Sequence, residues 1–183
     1  MSIRADQTII IEKRLGIPAD YQYKAIRSKN YLFANWHNNK LVALSNLIKP
    51  GMRILDLGTG SGNFELRFAG RVKEIVGVDY NDEALEFLKR KIKEKRIKNV
   101  KLVCCDIRNL SKFGVGGKFD LIVMVDVIEH IKIDEAKKVV GVVKNMLNPN
   151  GKVCVVTPNY KSSWLLMEFV LDKFKLVPKL NNE

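Results

Sequence analysis

Five short apolar runs, separated by stretches of helical pattern, leave this chain few ways to fold. Ile54-Leu55-Asp56-Leu57, Ile75–Val78, Val100–Cys104, Phe119–Val125 and Val153–Val156 are rich in β-branched residues and short enough to read as strands. A helix is expected from about Asn63 to Arg71. A second is opened by Asn81 as cap, with Asp82 and Glu83 in its first turn and Leu85, Leu88 and Ile92 on one face. A third runs from Ile133 to Leu147 with Val139, Val140, Val143 and Met146 inward, and Asn148-Pro149-Asn150-Gly151 forms a turn after it. Strands joined in this way specify an α/β fold, a doubly wound parallel sheet with helices on both faces. Right-handed crossovers give the strand order 3-2-1-4-5.

At 183 residues and 46% apolar content the chain is sized for one domain with one sizeable core. Residues 1–49 read as an N-terminal helical segment packing on the core, with a stripe of Ile26, Trp36, Leu41, Leu44 and Ile48 inside a mostly helical stretch, 22–48. Residues 50–160 form the ligand-binding core, and 161–183 a C-terminal helix opened by Ser162. No run approaches the roughly 18 apolar residues of a membrane span, and the N-terminus lacks a signal-peptide stretch, so a cytoplasmic location is expected. Cys104, Cys105 and Cys154 sit within or beside the apolar runs, which argues against a disulfide or zinc framework. The net charge of +12 fits either an anionic partner or a merely well-solvated surface. The densest basic run, Lys89–Lys98, lies toward a helix C-terminus, where cations are favoured anyway, and has no interleaved aromatics for stacking on bases.

Ligands of such sheets sit outside the carboxyl ends of the strands. Those ends carry Asp56-Leu57-Gly58, Asp79, Asp106, Asp126 and Thr157. Four aspartates on one rim exceed what helix capping requires and suit a cationic or hydroxyl-rich ligand. The loop Gly58-Thr59-Gly60-Ser61-Gly62 follows the first strand and enters a helix, which lets a ligand approach the backbone. Its G-x-G-x-G spacing departs from the G-x-G-x-x-G of dinucleotide sites, and Asp56 before it disfavours phosphate and favours ammonium or sulfonium. Both features weigh against a nicotinamide-dependent oxidoreductase and toward a cationic nucleoside.

The stretch Asp56-Leu57-Gly58-Thr59-Gly60-Ser61-Gly62 resembles motif I of class I S-adenosylmethionine-dependent methyltransferases. The likeness runs from about Tyr31 to Tyr160 and takes in Asp79, Cys105-Asp106-Ile107, the stretch Asp126–Ile131 and Thr157-Pro158-Asn159. The last two resemble the small-molecule, quinone-biosynthesis-like branch. The resemblance implies a Rossmann-like fold and S-adenosyl-L-methionine as cofactor. It implies Asp79 as acceptor for the ribose hydroxyls and Asp106 for the adenine amine, with Ile107 at the ring edge. Gly58 and Gly60 leave room for the methionine part, Asp56 attracts its ammonium, and Tyr80 packs on adenine or ribose. Thr59, Gly62 and Asp126 complete the implied cofactor set. Asp79 and Asp106 could alternatively serve as a helix cap and a turn residue.

A hydroxyl or phenol acceptor must lose a proton as it is methylated, so a base within reach helps. His130, on the strand-four rim, is the candidate; its other reading is a residue that orients the loop. Glu129 could join Asp126 at a metal, or simply be a solvated acid, and no metal is assigned. There is no N/D-P-P-Y segment after strand four and no Pro-Cys nucleophile, which argues against base-modifying nucleic-acid enzymes. The expected activity is methyl transfer to a small acceptor at oxygen. The alternatives are a non-catalytic cofactor-binding protein within an assembly, and an RNA or protein methyltransferase. The family's sheet usually carries two further strands, and only 26 residues follow Thr157, so that final hairpin is expected to be missing. Strand five would then be an open edge, inviting self-association.

Overall fold

The computed structural model describes residues 18–157. The elements are α1 (Tyr21–Ile26), α2 (Tyr31–Ser45), β1 (Arg53–Leu57), α3 (Asn63–Phe68), β2 (Glu74–Asp79), α4 (Asp82–Glu94), β3 (Val100–Cys104), β4 (Phe119–Val125), α5 (Ile133–Lys144) and β5 (Leu147–Val156). Short 3-10 turns lie at Ala69–Arg71, Ile107–Lys112 and Ile128–His130. The five strands are all parallel, in the order 3-2-1-4-5. The expected last helix and the apolar stretch from Trp164 lie outside the described residues, as does whatever follows β5.

The sheet separates two apolar layers, and side-chain alternation along each strand assigns residues to them. Leu55, Leu57, Val76, Val78, Ile122 and Met124 face Val139 and Val143 of α5 and the turn carrying Ile107 and Leu110. Ile54, Ile75, Leu121 and Val123 face Leu41 and Leu44 of α2 and Phe64 and Phe68 of α3. Asp56, between Leu55 and Leu57, therefore projects into the α2–α3 layer. Gly77, its register partner on β2, faces the same side.

Arg53 opens the central strand and ties it to both neighbours. Its backbone N–H donates to Asp120 of β4 at 2.8 Å, while its guanidinium pairs with Glu74 of β2. The cap on α4 is as the sequence predicts: the Asn81 side chain accepts from the Ala84 N–H at 3.1 Å.

Three details differ from expectation. The mostly helical stretch 22–48 resolves into two helices interrupted at 27–30, because Asn30 caps a new one by accepting from the Phe33 N–H at 3.2 Å. Val140 is 46% exposed rather than inward, since Val139 and Val143 already fill the α5 contact and Val140 lies off that face. The Asn148–Gly151 segment is absorbed into β5 as an irregularity: Phe119 pairs with Leu147, but Leu121 pairs with Lys152. Asn150 takes a left-handed φ of 66° there.

Candidate functional site

The loop between β1 and α3 is held from beneath by β2. The Gly58 and Thr59 N–H groups donate to the Val78 carbonyl at 2.8 and 3.1 Å. The Gly60 N–H donates to Asp79 Oδ2 at 2.7 Å, and the Asn81 N–H to Asp79 Oδ1 at 2.8 Å. Asp79 thus grips the loop with one oxygen and its own following turn with the other. Gly60 adopts φ 52° and Gly62 φ 80°, conformations that cost a side-chain-bearing residue about 1 kcal/mol or more.

Outside this loop opens a cleft of about 290 Å³. Gly58, Gly60, Asp79, Tyr80, Asp106, Ile107, Asp126 and His130 all line it, so the structure brings eight of the expected site residues to one place. Three do not reach it. Gly62 is turned inward, where a side chain would run into Leu88 of α4. Thr59 and Asp56 face a second chamber of about 50 Å³ behind the loop, which they share with Gln22, His37, Lys40 and Asp126.

Asp106 carries a strong partner of its own. The Arg108 Nε lies 2.9 Å from both carboxylate oxygens, and the Arg108 N–H donates to Oδ1 at 2.9 Å. Burial alone would raise the Asp106 pKa, but these bonds outweigh it and bring the group below its ordinary value. Asp126, at the end of β4, sits in the left-handed region at φ 55° and pairs with Lys40 of α2. Its N–H donates to the Val156 carbonyl at 2.8 Å, which holds the turn in place. His130 is exposed at the cleft mouth, in the 3-10 turn after β4. Glu129 and Asp126 belong to no group of three or more metal-binding side chains among the described residues.

Sequence reasoning missed several members of the site. Pro18, Ala19, Tyr21 and Gln22 wall the cleft from the N-terminal side. Helix α1 is fastened to the glycine loop: the Tyr23 N–H donates to Ser61 Oγ at 2.8 Å, and Asn63 Nδ2 donates to the Gln22 carbonyl at 2.7 Å. Polar residues inside the loop, where only glycines are needed for shape, were the available signal. His37 is flanked by Phe33 and Tyr21 rings at 4.8 and 6.3 Å. Burial, and then the Lys40 charge, lower its pKa to about 4.

Most unexpected is Glu65, in the first turn of α3. It is entirely buried, and neither carboxyl oxygen completes a well-formed hydrogen bond among the described residues, although the Thr59 hydroxyl stands close by. Asp56, 3% exposed, is its neighbour across the β1–α3 layer. Burial first, helped by the Asp79 charge and offset in part by a hydrogen bond from Glu65, pushes Asp56 up to about 7. Burial and the Asp56 charge hold Glu65 well above the ordinary range.

The surroundings suit a cationic nucleoside. The loop offers backbone without side chains: a Cβ on Gly58 would collide with Val127, and one on Gly60 with Gln22. Ala84, Ile107 and Val127 give apolar flanks for a flat ring, and the acids sit where hydroxyl and amine donors would arrive.

Residues 48–182 match a family model described as a methyltransferase domain. Among curated relatives, the (S)-coclaurine N-methyltransferase of Papaver somniferum is 36% identical over 46% of this chain and 24% of its own. The EEF1A lysine methyltransferase 2 of Danio rerio is 30% identical over 73% and 59%. The ubiquinone biosynthesis O-methyltransferase of Acinetobacter baylyi is 21% identical over 86% and 64%. The chain therefore spans between 24% and 64% of the length of these relatives. Among solved structures, the YcgJ protein of Bacillus subtilis superposes with a TM-score of 0.61 at 26% identity, over 76% of this chain and 59% of that one. An S-adenosylmethionine-dependent methyltransferase from Clostridium acetobutylicum gives 0.56 at 31%, over 70% and 51%. No helix among the described residues is long and apolar enough to cross a membrane.

Proposed function

We propose that this chain, which belongs to the methyltransferase-domain family, transfers a methyl group from S-adenosylmethionine to a small acceptor at oxygen. The observation that carries the reading is the convergence of Asp79, the side-chain-free faces of Gly58 and Gly60, and Asp106 on one cleft that opens beside His130. When bound, S-adenosylmethionine supplies a methyl carbon already activated on a sulfonium. The chain's own residues place it. Each Asp79 oxygen has two lone pairs, so the carboxylate receives ribose hydroxyls in addition to its bonds to the loop. Asp106, kept ionised and aimed by Arg108, receives the adenine amine, and the apolar edge of Ile107 meets the ring. The chamber behind Gly58, with Lys40, Asp56 and Asp126 around it, receives the charged amino-acid end.

His130 takes the proton that an acceptor hydroxyl sheds as its oxygen becomes more acidic in the transition state. Helix α1 and the Pro18–Gln22 wall restrict the mouth and limit water at the reacting centre. The quinone-biosynthesis-like acceptor fits the Asp126–Ile131 stretch and the ubiquinone-pathway relative.

A second reading, an amine acceptor, has its own observation. Asp126 Oδ1 and Glu129 Oε2 are buried without a partner among the described residues, and an amine acceptor could donate to them. One experiment ranks the two: incubation with methyl-labelled S-adenosylmethionine and fractionated cell extract, with the labelled product identified by mass spectrometry. A methyl ether or ester supports the first reading, and an N-methyl product the second. No labelled product with a tightly bound cofactor would make the chain a binding protein.

A further inference from the structure

Glu65 has no evident task in the reaction just described, yet it occupies one of the most protected positions in the fold. It has no exposed surface, and neither of its oxygens completes a well-formed hydrogen bond among the described residues. A bare carboxylate in such a place would cost several kcal/mol. Its location is fixed by the sheet. Asp56 and Gly77 are register partners on β1 and β2 and face the same layer. A Cβ on Gly77 would stand 2.8 Å from Glu65 Oε1 and 2.7 Å from Thr59 Oγ1. The Glu65 carboxyl therefore fills the side-chain space that Gly77 leaves empty. That space is one strand spacing, about 4.8 Å, from the Asp56 backbone. The Thr59 hydroxyl stands in the same space, between the Asp56 carbonyl at 3.4 Å and the Glu65 carboxyl, and the Asp56 carboxylate is the acceptor that a protonated Glu65 meets.

We infer that Glu65 is a positioning residue: a buried neutral carboxylic acid whose O–H donates to the Asp56 carboxylate and so fixes the glycine loop in its cofactor-binding shape. The inference rests on reading the cleft as the S-adenosylmethionine site. Once the pH has passed about 7, where Asp56 releases its proton, the two carboxyls hold one proton and one negative charge. The proton resides on Glu65, the more deeply buried of the two. The charge resides on Asp56, which borders the chamber behind Gly58. The other titratable groups facing the pair are Asp79 on β2 and, across that chamber, His37 and Lys40 of α2 and Asp126 after β4. Gly77 acquires a reason to be glycine that has nothing to do with its backbone angles.

The sign of the pH dependence follows. Both carboxyls keep protons in the folded state that the unfolded chain has already released. Their contribution to stability is therefore present below the ordinary value of 3.8 for Asp56 and is lost as pH rises through about 7 and beyond. Glu65→Gln keeps a neutral side chain with an N–H for Asp56 but has no proton to lose. Glu65→Ala removes the donor and leaves a void.

The test uses S-adenosylhomocysteine calorimetry and denaturant melts from pH 6 to 9 on the whole chain. Isotope-edited infrared spectra of the neutral carboxylic acid band accompany them. The band should be present at pH 7 in the wild type and diminished in Glu65→Gln. Glu65→Ala should weaken S-adenosylhomocysteine at least about tenfold, and Glu65→Gln should recover most of that loss while flattening the fall in stability above pH 7. A Gln variant as weak as the Ala variant, or no acid band at pH 7, overturns the inference. A wild type that shows the band but binds no S-adenosylhomocysteine removes the cofactor reading and the positioning role with it, leaving a buried structural acid.

Discussion

The two faces of the glycine loop use the same residue types for opposite purposes. On the outer face, Gly58 and Gly60 line the cleft and make room for Val127 and the end of Gln22, and Asp79 turns its oxygens toward the same side. On the inner face, Gly62 abuts Leu88 of α4, and Asp56 and Glu65 are sealed beneath it. Glycine shapes the cleft wall on one side and packs against the core on the other. A carboxylate accepts two backbone N–H bonds on one side, while the inner pair avoids burying two charges by keeping a proton. Spacing alone treats the three glycines as one motif, whereas the fold divides them into a cleft wall and a piece of core.

Gly60→Val should break the comparison most visibly. Its side chain would enter the cradle, and on the protein side it meets only the flexible end of Gln22. Cofactor affinity should fall more than a hundredfold, about 2.7 kcal/mol, while circular dichroism stays near native. Calorimetry showing ordinary binding would mean that the outer face does not hold the ligand. Gly62→Ala should do the reverse. It combines a left-handed φ with overlap against Leu88, which is fully buried, for a stability loss of about 2–4 kcal/mol. Denaturant melts read this directly, and a midpoint within error of the wild type would place Gly62 with the outer group.

Asp79→Ala belongs to the outer face, with an effect set by the hydrogen bonds it makes there. Charged hydrogen bonds contribute roughly 1.5–3 kcal/mol each, so binding should weaken about tenfold or more with the fold retained. Unchanged affinity for S-adenosylhomocysteine would remove it from the site. The smallest effect concerns His37 in the rear chamber. Its folded pKa of about 4 lies below the ordinary 6.5, so as pH falls the unfolded chain takes up the proton first. Stability should decline between pH 6.5 and 4 and level off below. His37→Gln should remove that part of the decline, and an identical pH profile in the variant would show that the imidazole is not sequestered.

The sheet and the outer face were legible in the sequence because both are local. Five apolar runs and a glycine loop each announce themselves within a dozen residues, and the aspartates at the ends of β1, β2 and β4 and just after β3 mark the rim by position alone. The inner face was not. Asp56 stands in the sequence as a ligand contact, and only the sheet register also places it beside Gly77; Glu65 lies in a first helical turn, where the helix dipole favours any acid. Nothing in the spacing of residues 56, 65 and 77 shows that they share one space, because three separate elements bring them together. Val140 erred for a related reason: a run of valines has helical period but no fixed phase until the helix docks.

Arg53 has a consequence for how the chain finds this structure. Its guanidinium partner Glu74 is 21 residues away, whereas Asp120, which takes its backbone N–H, is 67 residues away. The β3-β2-β1 half of the sheet closes through short loops, but the β1-β4 seam must wait for a long one, and long-range pairing is what slows folding. The seam runs directly beneath the glycine loop. An early folding species with three strands would therefore hold the loop and Asp79 in place while β1 still presented a bare edge. Refolding kinetics should show the rate following substitutions at Asp120 more closely than substitutions at Glu74.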